Sequence, residues 1–148
     1  MGYSTYELTE ESRERLLRER TLSFPKVITH HITYRFPDEE PPPPITDFSV
    51  IGFSQGDAIE CWVVSLDGEV NRPSGGFFHI TASLDPEQGA KPVDSNGLLE
   101  SCGWETLTEP IPIHAVGKLI TFRKRKKKKN LQKSEQMPTA ERAEEGTE

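Results

Sequence analysis

The chain has 148 residues, enough for one domain that buries about two thirds of its unfolded surface. It is 33% apolar and 28% charged with a formal net charge of −6, and the charge is uneven: residues 1–122 hold 9 basic and 19 acidic side chains, a net −10, whereas residues 123–148 hold 9 basic and 5 acidic, a net +4. An acidic body excludes broad duplex binding by phosphate neutralisation, though not one anion held in a local pocket.

In chain order, the first twenty residues contain no apolar signal core. Tyr6 stands where a myristoylation pattern carries Ser or Thr. Residues 9–20 are predicted as a helix, capped by Thr9, with Glu10 and Glu11 in the first turn where the helix dipole favours them. Leu8, Leu16 and Leu17 are its apolar anchors, and Pro25 ends any continuation. Residues 26–36 are predicted as a single strand, because Val, Ile, Thr, Tyr and Phe dominate them. Residues 37–47 form a loop, with four consecutive prolines at 41–44 that cannot join a central sheet. Strands follow at 48–53 and 59–66, the second ending in the turn pair Asp67-Gly68. A Gly- and Pro-rich loop, 68–76, leads to a strand at 77–84. Residues 85–103 are predicted as a long loop broken by Pro86, Gly89, Pro92 and Gly97, and residues 111–122 as one or two last strands around Gly117. Residues 123–148 read as a disordered tail behind the domain 1–122. Its basic run, Arg123 through Lys129, is read as a nuclear import signal or an RNA tether, with a solubilising tail as the plain alternative.

No apolar stretch approaches the roughly 18 residues that span a bilayer. Cys61 and Cys102 make neither a disulfide framework nor a metal-ligand spacing, and Cys61 reads as buried filler. The expectation is a soluble, monomeric protein of the cytoplasm, or of the nucleus if the basic run is an import signal.

Two strands share a pattern. In the first, alternation puts Thr29, His31, Thr33 and Arg35 on one face and Ile28, His30, Ile32, Tyr34 and Phe36 on the other. In the second, Phe77, His79, Thr81 and Ser83 share a face opposite the apolar set Phe78, Ile80, Ala82 and Leu84. Each presents an imidazole and, two positions on, a hydroxyl. Opening a cyclic phosphodiester needs a base to activate water and an acid to protonate the leaving oxygen, and two histidines supply both near neutral pH. A Thr hydroxyl on the same face can donate to a non-bridging oxygen. Arg35 and Arg72 can add charge stabilisation, the second from the loop just before the second motif. This chemistry requires no metal or cofactor. A zinc site from His30, His31, His79 and His114 is disfavoured, because adjacent histidines on a strand point apart. His30 reads as a strand-end residue and His114 as a surface one. Trp62 and Trp104 are assigned to the core, with base stacking as the alternative for Trp104.

The paired motifs His31-Ile32-Thr33 and His79-Ile80-Thr81 resemble those of the two-histidine (2H) phosphoesterase superfamily. The stretch from Ser65-Leu66-Asp67-Gly68 through Asn71-Arg72-Pro73 to Lys91-Pro92-Val93-Asp94-Ser95-Asn96 is most similar to its compact Swiss Army Knife clade, associated with RNA repair. The resemblance covers residues 25–120. It implies an α+β fold of two antiparallel lobes with pseudo-twofold symmetry, here preceded by an N-terminal helix. It implies hydrolysis of a cyclic phosphodiester, such as a 2′,3′-cyclic phosphate RNA end, by His31, His79, Thr33 and Thr81. Arg35, Arg72 and Lys91 are expected to bind substrate, and the partner is RNA or a nucleotide bearing a cyclic phosphate. The alternatives are hydrolysis of cyclic oligonucleotide second messengers, or a binding module that has lost turnover. The motifs lie 48 positions apart, short for the superfamily, and an extra histidine, His30, precedes the first; alternation assigns the role to His31.

Overall fold

The computed structural model describes residues 2–121; the basic run and the predicted tail at 123–148 lie outside the described residues. The elements are β1 (Gly2–Leu8), α1 (Glu10–Glu19), β2 (Lys26–Val27), β3 (His31–Asp38), β4 (Phe48–Gln55), β5 (Ile59–Leu66), β6 (His79–Leu84), a 3-10 turn (Pro86–Gln88), α2 (Asp94–Cys102), β7 (Glu105–Ile113) and β8 (Ala115–Thr121). The fold is α+β. Its strands form two antiparallel sheets, a three-stranded one in the order β3-β1-β8 and a five-stranded one in the order β2-β6-β5-β4-β7.

Three expectations are corrected. The first is β1, which is central in its sheet although no strand was predicted there. Its middle is polar: Ser4 and Thr5 are buried, the Ser4 hydroxyl donating to Asp38 Oδ2 at 2.6 Å and Thr5 Oγ1 to the Ile32 carbonyl at 2.9 Å. Buried polar groups that find such partners escape the usual penalty, so the apolar alternation that signals a strand is absent.

The second correction is the strand at 26–36, which is two strands in different sheets. Lys26 and Val27 pair with Leu84 and Ser83 of β6, and the Ile28 and Thr29 amides still donate to the Ala82 and Thr81 carbonyls. Thr29 then turns left-handed (φ 42°), a conformation a β-branched residue adopts only when its surroundings impose it. Its buried hydroxyl donates to the Ala82 carbonyl at 3.1 Å. Beyond it, His31–Asp38 pairs with β1 instead. Arg13 of α1 braces this crossing, its Nε donating to the Thr29 carbonyl at 2.9 Å and its Nη2 to that of Ile28 at 3.4 Å. The Leu8 amide of β1 donates to the His30 carbonyl.

The third correction lies in residues 85–103, which hold the 3-10 turn and α2. Gly97 inside the helix and Pro92 before it obscure the helical pattern in the sequence. The last strands are separate elements broken at His114, not at Gly117, and β7 starts at Glu105.

Helix α1 agrees with expectation: Thr9 Oγ1 accepts from the Ser12 amide at 3.2 Å, and Leu16 is fully buried. One core joins α1 to both sheets, with Tyr6 and Ile32 from one and Trp62, Val64, Phe78 and Ile80 from the other. A satellite cluster of Cys61, Val63 and Leu99 packs α2 on the opposite face of the larger sheet. A cavity of about 320 Å³ lies between the end of α1 and the irregular middle of β7, lined in part by Trp62. Among the described residues, Trp62 Nε1 is the buried side-chain nitrogen without a hydrogen-bond partner.

Candidate active site

The two histidine motifs open where the sheets part. Backbone pairing with β6 runs as far as Thr29 opposite Thr81; His31 then pairs with Glu7 of β1, and it stays near enough to His79 for its charge to act on that imidazole. Alternation holds through the first motif, where Ile32 is fully buried and Tyr34 packs against Phe78 in the core while His31 and Thr33 face the other way, half-buried; beyond Thr33 a register shift against β1 breaks it, and Phe36, expected in the core, is exposed beside Tyr3. On β6, Phe78, Ile80, Ala82 and Leu84 enter the core as expected. The polar side of β6 is buried as well, because α2 covers it: His79 is 9% exposed and Thr81 8%.

Each imidazole is held by its Nδ1, which leaves Nε2 available. His79 Nδ1 lies 2.9 Å from the Phe77 carbonyl, which can only accept, so Nδ1 carries the proton and Nε2 is the basic nitrogen. Burial lowers the His79 pKa to about 4 despite that bond, and the charges of Arg72 and His31 push in the same direction. The neutral form therefore dominates near pH 7. His31 Nδ1 lies 3.1 Å from His30 Nδ1, and His30 Nε2 lies 3.6 Å from Glu7 Oε2. Burial, then His30, lower the His31 pKa, while the Glu7 carboxylate raises it. The sequence missed this chain of carboxylate, His30 and His31, because Glu7 lies on the unpredicted β1. Glu7 itself is held below the usual carboxylate range, first by its hydrogen bond from Lys118.

The two motif hydroxyls differ. Thr33 makes no hydrogen bond to another described residue. Thr81 Oγ1 lies 2.9 Å from Ser95 Oγ of α2 and 3.3 Å from the Pro92 carbonyl. Arg72 reaches the same place from the loop: its Nε donates to the Gly75 carbonyl and its Nη2 to Asn96 Oδ1, each at 2.9 Å. Burial lowers its pKa from the usual value. Gly76 adopts φ 81° beside it, and a Cβ there would meet Arg72 Nη2 at 3.1 Å. Ser95 and Asn96 end the stretch that carries the resemblance, but the sequence reading gives them no role, since the segment reads as loop.

Arg35 and Lys91 sit farther out. Arg35 is exposed beyond the register shift in β3, its charge acting on Asp38. Lys91 is exposed in the turn before α2, its amide donating to Asp94 Oδ2 at 2.9 Å. Thus His79 feels the charges of both His31 and Arg72, while neither outer cation is in contact with it. Tyr3 packs its ring toward His31 and Phe36. Trp104 packs over Gly52 and edge-on to Phe77, a core role. His114 is exposed. Among the described residues, no three His, Cys, Asp or Glu side chains are gathered as a metal site, and no helix is long and apolar enough to cross a membrane. No protein-family model, curated protein or solved structure matches this chain.

Proposed function

We propose that the chain is a metal-independent phosphoesterase of the two-histidine type that hydrolyses a cyclic phosphodiester, a 2′,3′-cyclic phosphate at an RNA end. The observation that carries the reading is that two imidazoles from different sheets lie near enough to act on one another electrostatically, each engaged through Nδ1, in environments that separate their roles. In this reading each sheet is one lobe, and the pseudo-twofold relation is that between the strands β3 and β6.

His79 is the base. Its Nε2 takes a proton from water as the water oxygen attacks phosphorus. His31, as imidazolium backed by His30 and Glu7, gives its Nε2 proton to the departing ribose oxygen. One P–O bond forms and one breaks, a proton moves at each end, and the product is a phosphomonoester. Mutual repulsion disfavours protonating both imidazoles at once, and with both pKa values lowered the singly protonated pair that acid–base catalysis requires is populated on the acidic side of neutrality. Arg72 and the Thr33 hydroxyl stabilise charge on the non-bridging oxygens.

The test incubates the protein, with EDTA, with RNA ending in a 2′,3′-cyclic phosphate and with cyclic di- and trinucleotides. Hydrolysis of the RNA end is expected to persist in EDTA. It is expected to fall by about 10²–10⁴-fold in both His31→Ala and His79→Ala, the usual contribution of a general acid or base. Cleavage of the cyclic oligonucleotides alone would reassign the substrate. A folded protein that binds these nucleotides without cleaving any would make the chain a binding module.

A further inference from the structure

Resting on that reading, we propose that the first turn of α2 is the positioning element of the site: Ser95 turns Thr81 into a donor toward the phosphate, and Asn96 aims the Arg72 guanidinium. Thr81 has one hydroxyl proton and two neighbours within reach. The Pro92 carbonyl can only accept, and at 3.3 Å it is the weaker partner. Ser95 Oγ, at 2.9 Å, can donate or accept. When Ser95 donates to Thr81, the Thr81 proton is left for the Pro92 carbonyl in the resting protein. An anionic phosphate oxygen then takes that proton in preference, since a charged acceptor outcompetes a long neutral contact. Were Thr81 to donate to Ser95 instead, it would offer the substrate only lone pairs.

Ser95 is fixed for this task. It is fully buried, its amide is bonded to the Pro92 carbonyl, and the Cys61 thiol lies beside it, held protonated by burial. The amides of Asp94, Ser95 and Asn96 are all spent on the carbonyls of Lys91, Pro92 and Val93. The turn therefore acts through its side chains and not as a helix N-terminus. Asn96 donates to the Val93 carbonyl, which orients its amide so that Oδ1 faces Arg72 Nη2. With Nε committed to Gly75 and one Nη2 hydrogen to Asn96, the other guanidinium donors remain for substrate.

Ser95 and Asn96 are thus positioning residues, and their effect should vanish once the group they position is gone. Two double-mutant cycles read this, on kcat/KM for the cyclic-phosphate RNA end and on calorimetric affinity for a nucleoside 2′-phosphate. Ser95→Ala is expected to lower both about tenfold in the wild-type background and to change neither in Thr81→Val, while Thr81→Ser keeps the sensitivity. Asn96 is half-exposed, so Asn96→Ala is expected to fold. It should cost several-fold in the wild type and nothing in Arg72→Met. Equal losses in both backgrounds, in either cycle, would make that residue merely structural and overturn the inference while leaving the histidine reading intact. Because affinity is read separately from turnover, a protein that binds but does not cleave still decides the cycles. A protein that neither binds nor cleaves would overturn the reading and this inference with it.

Discussion

At the scale of single residues, the site separates two chemically identical side chains by what surrounds them. His79 has a carbonyl at Nδ1 and little solvent; His31 has a second histidine and, behind it, a carboxylate. Both pKa values are lowered, His79 to about 4. On the proposed mechanism the base is therefore ready above about pH 4, whereas the acid loses its proton below its ordinary 6.5. The profile of kcat/KM against pH on a cyclic-phosphate RNA end should accordingly peak on the acidic side of neutrality, rising from about 4 and falling before 6.5. Glu7→Gln removes the carboxylate that favours the imidazolium, so it should move the falling limb to lower pH and leave the rising limb in place. A rate that climbs steadily from pH 6 to 9 would contradict the role assignment. The same burial has a consequence for stability. Between pH 6.5 and about 4 the unfolded chain binds the proton that folded His79 refuses, so stability falls as pH falls through that window. The full effect is on the order of 3 kcal/mol, and His31 adds in the same direction. Urea unfolding at pH 7 and at pH 4.5 measures it, and His79→Gln should flatten the difference.

At the scale of elements, the crossing at 28–30 sets the geometry of the first motif, and α1 holds it. Arg13 donates to two of its carbonyls, and no other described residue offers them a side-chain donor. Arg13→Met keeps the aliphatic stem and deletes both bonds. It should cost about 1–3 kcal/mol in urea unfolding, the range for a hydrogen bond from a charged group, and should lower kcat by loosening His31. A change in stability with kcat untouched would show that the crossing holds itself. This region also marks the limit of what the sequence discloses. The faces of the second motif strand and of the first as far as Tyr34, the cap of α1, the burial of Cys61 and Trp62 and the strand Ile59–Leu66 were all legible, because each is a local matter of alternation or spacing; Phe36 was not, because the register against β1 shifts before it. The left-handed Thr29 was not, since no Gly or Asn announces it and distant partners enforce it. Nor was β1, whose polar middle is matched only by residues some thirty positions on. Missing β1 hid the carboxylate behind the first histidine, and reading α2 as loop hid the side chains that hold Thr81 and Arg72.

At the scale of the whole molecule, two histidines on different sheets can work together only if the sheets do not drift apart. The sheets are hydrogen-bonded as separate ladders, so their relative position rests on the shared core and on the short crossings at 28–30 and at His114, the second bonded to Thr9 and Ser12 of α1. That core is continuous: Tyr6 meets Phe48 edge-on across the sheets at 5.1 Å, Tyr34 stacks on Phe78 at 5.9 Å, and Leu16 of α1 is buried against both sides. The chain supplies its own reporters, because all three tyrosines (Tyr3, Tyr6 and Tyr34) lie in the three-stranded sheet, while Trp62 and Trp104 belong to the five-stranded side. If the core couples the sheets, tyrosine and tryptophan signals should lose structure at one urea midpoint, as two-state unfolding of a single domain requires. Leu16→Ala should lower that common midpoint, at a cost of about 2–5 kcal/mol for a fully buried leucine. A tyrosine transition that precedes the tryptophan one would mean that the small sheet opens by itself. The first histidine would then leave the second before the protein unfolds, and activity should track the tyrosine signal alone.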